Sequence, residues 1–419
     1  MKLAIGLSLV AVALIAVPAQ GHAGDLDPTF SDDGVATAFA SGSIANAVAI
    51  DHAGRSVVVG ETIGDHVMVA VARFRPDGSP DPTFGGGDGR IKMSLGGDTT
   101  AAFDVAVAVH DGLAIAGRRT RGTTEDSFVL RLKADGEPVA AFGGDGLTLV
   151  NFGKEESANA VSFTPSGRIV VAGYVSNGFA VRSALARLDP DGRLDPTFSG
   201  NGKKLVDLSP GSDELNDLVV LPNEAVVAAG YADFATEPRF AMTKLNHGGK
   251  LALGFGHQGI VRTDLSLGAD IANAIALTGS GGFVLAGSAS DDGRGDWGVA
   301  RYLADGSLDP GFSSDGLRIL GWSGAPESAE DLRLDGRKIV IAGRIHPKGA
   351  SDDGGVVRLR AGGRLDDTFG DGGVALVDVA GDTDAAHGVA IQENGKVVLA
   401  GETWTRGTPR FLVARLRAG

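Results

Sequence analysis

Seven polar side chains stand at the heads of seven runs of small residues: Asn46, Asp104, Asn159, Asn216, Asn273, Glu330 and His387. Each lies 13 or 14 residues before a glycine that ends a Val-, Ile- and Ala-rich run, at Gly60, Gly117, Gly173, Gly230, Gly287, Gly343 and Gly401. Five copies add a carboxylate three residues earlier, at Glu156, Asp213, Asp270, Glu327 and Asp384. Gathered around one axis, these groups would ring a channel mouth with amides and carboxylates. Hard oxygen donors of that kind suit calcium or a cationic ligand better than zinc, which favours nitrogen and sulfur. No cofactor is required by the pattern, and calcium at the channel is the ion it could hold. The competing role is structural, because Asn and Asp side chains readily satisfy loop backbone groups between repeated units. Metal-assisted hydrolase or lactonase chemistry would need Asn46, Asp104, Glu330 and His387 to converge. No nucleophile elbow of the Gly-x-Ser-x-Gly kind accompanies them.

These residues must be positioned by an array. Phe30, Phe84, Phe142, Phe198, Phe255, Phe312 and Phe369 recur every 54 to 58 residues, so the chain is seven copies of one unit. Each unit contains four apolar runs of strand length, such as Gly89 to Leu95, Ala102 to Val109, Leu113 to Ala116 and Phe128 to Lys133. Reversals between runs carry Asp-Gly or Gly-Gly, as at Asp77-Gly78 and Gly248-Gly249, dipeptides that supply the positive φ of tight turns. No stretch has a helical apolar period with caps. Four antiparallel strands per unit, with no helix to cover a face, predict an all-β, seven-bladed β-propeller over residues 24–419, with an open solenoid as the alternative. Closure separates the two. Arg415 to Gly419 joined to Gly24 to Phe30 reproduces the internal stretch Arg358 to Phe369 with two changes. The N-terminal strand, Gly34 to Ala40, is therefore expected to complete the last blade beside Phe411 to Arg417.

The phrase Gly-Arg-Leu-Asp-Pro-Thr-Phe, the Gly/Asp turn after it and the later Ile-Val-Val-Ala-Gly resemble the delta-60 repeat family of bacterial propellers. The resemblance spans residues 24–419 and implies export and a propeller, with no shared activity. Two copies depart from it, because Pro138 to Phe142 and Leu251 to Phe255 lack the Asp-Pro. Every copy has a cation in its third run, from Arg73 to Arg415, and four copies place Asp81, Asp195, Asp309 or Asp366 eight residues later. A structural ion pair across each hairpin is expected, with Arg415 meeting Asp27 at the closure.

Lys2, the apolar run Leu3 to Val17 and the small residues Gly21-His22-Ala23 predict a secretory leader over residues 1–23. No later run approaches bilayer-spanning length. The product is expected in the periplasm or outside the cell, as a monomer. With no cysteine, stability rests on the core alone. A net charge of −14 makes nucleic acid an unfavourable partner.

The loops beyond the seven glycines vary most between copies and hold Arg118, Tyr174, Tyr231, Trp297, Arg344 and Trp404. Aromatic and arginine side chains are the usual interface anchors. A scaffold that presents this variable face to a protein or glycan is the leading functional expectation, beside the hydrolase and a purely structural surface protein.

Overall fold

The computed structural model describes residues 21–419 apart from 41, 154, 234–236, 292–293, 323–324, 348, 350, 380 and 382. Most of the expected leader, residues 1–20, lies outside the described residues. Short reversals fold consecutive runs back as antiparallel neighbours. In blade 1 these are Ser43–Ile50, Ser56–Thr62, Met68–Phe74 and Arg90–Met93, paired in that order. The described residues form seven such four-stranded sheets and no helix. The inner strands contact one another in sequence, and the last, Asp384–Ile391, contacts the first. The ring is closed.

Closure occurs where the sequence predicts it. Val35–Thr37 pairs antiparallel with Thr408–Leu416, in register Val35 to Ala414 and Thr37 to Leu412, as the outer strand of blade 7. Arg415 then reaches across the joint, its Nε 2.8 Å from Asp27 Oδ2, with Lys396 Nζ 2.7 Å from the same oxygen. The equivalent pair recurs within blades: Arg73 with Asp81 at 2.7 Å, Arg187 with Asp195 at 2.8 Å, Arg301 with Asp309 at 2.8 Å and Arg358 with Asp366 at 2.9 Å. Each guanidinium also lies over the repeated phenylalanine of its own unit, for example Arg73 over Phe84 and Arg187 over Phe198. In blades 2 and 4 the acid is replaced by Val139 and Ala252, and the cation is held by packing over Phe163 and Phe255.

The phenylalanine period has a packing cause. Gly78, at φ 83°, has no Cβ, and a Cβ there would strike the Phe30 ring of the preceding unit; Gly136 stands in the same relation to Phe84. The glycine turn therefore supplies both the reversal and the slot for a fully buried ring. Seven apolar clusters lie one at each blade junction, so every sheet buries both faces. The third-to-outer connections, with their Asp-Pro-Thr-Phe phrases, occupy one face of the disc. The variable second-to-third loops occupy the other.

Candidate functional site

A bulge in each inner strand sets the geometry of the channel mouth. In blade 1, Ala45 pairs with Gly60 and Ala47 with Val59, leaving Asn46 unpaired and turned toward the next blade. The same shift recurs in all seven inner strands, always opposite the glycine that ends the neighbouring apolar run. A Cβ at Gly60 or Gly230 would collide with the carbonyl of Ile44 or Glu214 in the bulged strand. These glycines are required by close approach, as expected for glycine inside a strand.

The bulge places Asn46, Asn159, Asn216, Asn273, Glu330 and His387 in one ring, with Phe103 as the seventh member. Asp104, expected in this ring, sits one residue further along and is paired with Ala116, because the bulge of blade 2 falls at Phe103, 14 residues before Gly117; only in blade 6, with its shorter reversal, does the bulge residue Glu330 lie 13 before the glycine. The four asparagines join blades. Asn46 Nδ2 donates to Ala102 O at 2.8 Å, Asn159 to Leu215 O at 3.0 Å, Asn216 to Ala272 O at 2.9 Å and Asn273 to Ala329 O at 2.8 Å. Glu330 instead accepts from Ser328 Oγ, and His387 Nε2 lies 3.9 Å from Glu402.

The five preceding carboxylates serve loops. Asp213 accepts from Leu208 N, Ser209 N and Ser209 Oγ, and Asp270 accepts the equivalent set from Leu265 and Ser266. Glu156 takes the N–H groups of Phe152 and Gly153, Glu327 those of Trp322 and His346, and Asp384 that of Val379. They lie apart from the channel ring, each anchoring the connection that enters its inner strand. Asp384 alone also belongs to a compact acidic group, with Asp353 and Asp378.

Deeper in the channel lies an arrangement that sequence counting missed. Asp104, Asp217 and Asp331, from blades 2, 4 and 6, follow the bulge residue directly. Each carboxylate accepts the next N–H of its own strand and one N–H of the following blade. Asp104 bonds Val105 and Val161, Asp217 bonds Leu218 and Ile275, and Asp331 bonds Leu332 and Val389. Arg333 is the cation all three face, and it donates directly to Asp331. Burial raises all three carboxyls, Asp217 to about 8, and the Arg333 charge partly offsets the effect. The signal in the sequence was an Asp after the bulge in every second copy, hidden by alignment on the residue before it.

On the variable-loop side the mouth widens between blades 2, 3 and 4 into a recess of about 530 Å³, lined by Phe103, Arg118, Ser157, Asn159, Tyr174, Val181, Glu214 and Asn216. It opens where Phe103 replaces an asparagine. Arg118 lies 5.8 Å from the Phe103 ring centre and donates to Tyr174 Oη and Glu125, both at 3.3 Å. Asn159 accepts from Ser157 Oγ at 2.6 Å and donates to Glu214 Oε1 at 2.9 Å, while Tyr231 donates to the other Glu214 oxygen at 3.4 Å. Burial raises the Glu214 carboxyl despite these donors, and burial beside Glu214 pushes the Tyr231 phenol to about 12. Across the mouth, burial raises Glu61. Burial also works against the Glu402 charge, but the nearby His387 and Trp404 side chains outweigh it and lower that carboxyl.

Of the expected loop anchors, Arg118, Tyr174 and Tyr231 meet at this recess. Arg344 and Trp404 are partly exposed on other blades. Trp297 is not available to a partner: it is fully buried, its Nε1 donates to Arg344 O at 3.0 Å, and it packs edge-on against Trp322. Its position opposite Ser288 in the second strand turns the indole into the junction between blades 5 and 6.

Residues 54–84, 164–198, 283–312, 337–369 and 392–419 match the model of a β-propeller domain of unknown function, DUF5122. No curated protein matches the sequence at a significant level. Among solved structures, the chain is similar to catalytically inactive virginiamycin B lyase from Staphylococcus aureus, with a TM-score of 0.53 and 9% identity over 90% of this chain and 97% of that one. It is also similar to the polysaccharide lyase Uly1, at 0.50 and 10% identity over 89% of each chain. Drosophila Semaphorin 2a gives 0.50 and 9% identity over 95% of this chain and 76% of that one. At such identities the likeness is one of fold. The chain is a β-propeller built from seven sequence repeats.

Proposed function

We propose that this propeller is an exported, monomeric binding protein of the delta-60 type whose ligand is a glycan held in the recess between blades 2, 3 and 4. The observation that carries the proposal is the recess itself. It combines a phenyl face at Phe103 with amide, hydroxyl, carboxyl and guanidinium groups at Asn159, Ser157, Glu214 and Arg118. A sugar presents an apolar face and a rim of hydroxyls that are both donors and acceptors, and these groups answer both. The volume lies within the range of small-ligand sites and would accept one or two sugar units. Arg118 and Tyr174 favour a unit bearing a carboxylate. Three observations support binding over chemistry: the channel carboxylates are occupied with backbone N–H groups, they converge on a guanidinium, and His387 lies beside Glu402. Two of the proteins of similar fold are named as lyases, one of them for polysaccharides.

The test is a glycan array probed with the full chain, followed by calorimetry on any hit with Asn159→Ala and Arg118→Ala. Affinity for a sugar, lost at least about tenfold in both variants, supports the recess. Binding that survives both substitutions, or a chain that captures proteins and no sugar, overturns it.

A further inference from the structure

Three junctions between blades can be superposed residue by residue, and one of them has lost a positive charge. In blade 3 the third strand carries Arg182, paired across from Val175, and the outer strand ends before Asp207. Arg182 Nε lies 3.5 Å from Asp207, and the next inner strand opens with Asp213, close enough for the two carboxylates to repel. Blade 4 repeats the set as Arg239, Asp264 and Asp270, with the ion pair at 3.2 Å. Blade 6 has the same backbone register, Ile345 to Asp353 and Gly354 to Val377, followed by Asp378 and by Asp384 at the head of the inner strand of blade 7. Where its siblings place arginine, blade 6 places Asp353.

The outcome is three carboxylates with oxygens all within 4.8 Å of one another. Asp353 is 7% exposed, its carboxylate is directed into the group, and among the described residues none donates a hydrogen bond to it. Asp384 is fully buried and Asp378 faces solvent. The neighbouring bases are engaged elsewhere, since His346 Nδ1 lies 2.7 Å and Arg344 Nε 3.7 Å from Asp352. Burial and the charges of Asp378, Asp384 and Asp352 push the Asp353 carboxyl up to about 6 against the opposing pull of His346, as expected when like charges converge. In blades 3 and 4, whose flanking aspartates match those of blade 6, this position holds one positive charge between two carboxylates.

We propose that Asp353, Asp378 and Asp384 bind a divalent cation of the calcium class, which takes at this junction the place of the arginine in blades 3 and 4. Three oxygen donors and no free imidazole suit a hard cation. The site lies on the variable-loop face in a sector away from the glycan recess, and it does not depend on that reading. Its role is to fasten blade 6 to blade 7, the blade that closes the ring.

The experiment is calorimetric titration of calcium chloride, and separately magnesium chloride, into the full chain stripped with EDTA, with thermal melts alongside. The expected result is one equivalent of calcium with a dissociation constant of about 10 μM to 1 mM, magnesium weaker, and a melting temperature that rises with calcium. Asp353→Arg copies the sibling junctions, so it should fold, melt in EDTA no lower than the parent, and lose calcium binding by about a hundredfold or more. Asp378→Asn, at an exposed position, should weaken binding about tenfold and serves if the first variant fails to fold. No calcium-dependent heat or melting shift in the parent overturns the proposal, as does unchanged affinity in either variant.

Discussion

The repeated arginine clamp makes a quantitative prediction at Arg187. Its guanidinium is fully buried, with Nε 2.8 Å from Asp195, Nη2 2.9 Å from Thr197 Oγ1 and Nη1 2.6 Å from His247 O in the next unit. Arg187→Met keeps much of the stem volume but removes the charge. It leaves Asp195, only 4% exposed, with Arg168 at 2.9 Å and Thr197 as remaining partners, and it strands the His247 carbonyl. Breaking one side of a buried pair costs about 3–5 kcal/mol, and the surviving Arg168 contact sets the expectation near about 3. At about 2.1 cal/mol/K of unfolding entropy per residue, a cooperative ring of about 400 residues loses about 4 °C of melting temperature for that change. Blade 2 carries valine where blade 3 has Asp195, so Arg187→Met with Asp195→Val should cost less than the sum of the singles, by about 1–3 kcal/mol. Urea unfolding of the four proteins measures the cycle. A single substitution that moves stability by less than about 1 kcal/mol, or a strictly additive double, would refute the clamp.

Asp27 links closure to pH. Burial pushes its carboxyl up, but Lys396, Thr29 and Arg415 outweigh that and bring it from 3.8 to about 2. A depressed folded value stabilises above the unfolded value, so Asp27→Asn should cost about 2 kcal/mol at pH 7, and the difference should vanish as pH falls from 4 to 2. The channel aspartates have the opposite sign. Their folded values are raised, so their charge costs stability as pH climbs above the ordinary carboxylate range, for Asp217 up to about 8, and Arg333→Met should steepen that decline in urea midpoints between pH 5.5 and 8.5. Gly230→Ala drives a methyl into the Glu214 carbonyl, and a loss of about 1–3 kcal/mol in urea unfolding is expected together with weaker ligand binding at the recess.

The architecture could be read from the chain because its causes are local and repeated. Phe30 and Gly78 and the bulge opposite Gly60 recur in all seven units, the Arg73–Asp81 pair in five, and the Asn46 amide in four, each time meeting the same packing or pairing requirement. The tails could be matched because Arg415 and Asp27 are two halves of the same phrase. The site was less legible for the opposite reason. An unpaired bulge residue adds one to the count without any mark in composition, so Asp104 aligned with the asparagines and its partners Asp217 and Asp331 went unnoticed. Trp297 looked like a loop anchor because a strand continuing into a variable loop has no sequence boundary, whereas its strand register turns it into the core. The Asp353 group emerges only when the junctions of blades 3, 4 and 6 are overlaid in space, since its three members come from two strands and the connection between the outer strand of blade 6 and the inner strand of blade 7.

The most direct test of the closed ring is a cross-link. Arg415 N–H bonds Gly34 O, so Val35 and Ala414 form the adjacent non-hydrogen-bonded pair, with Cα atoms about 4.5 Å apart. The chain has no cysteine, so Val35→Cys with Ala414→Cys introduces the only two thiols. A spontaneous intramolecular disulfide in nearly all molecules, with a melting temperature above that of the reduced form, is what the closed ring predicts. Two thiols that stay free under oxidising conditions, or that pair only between molecules, would contradict it.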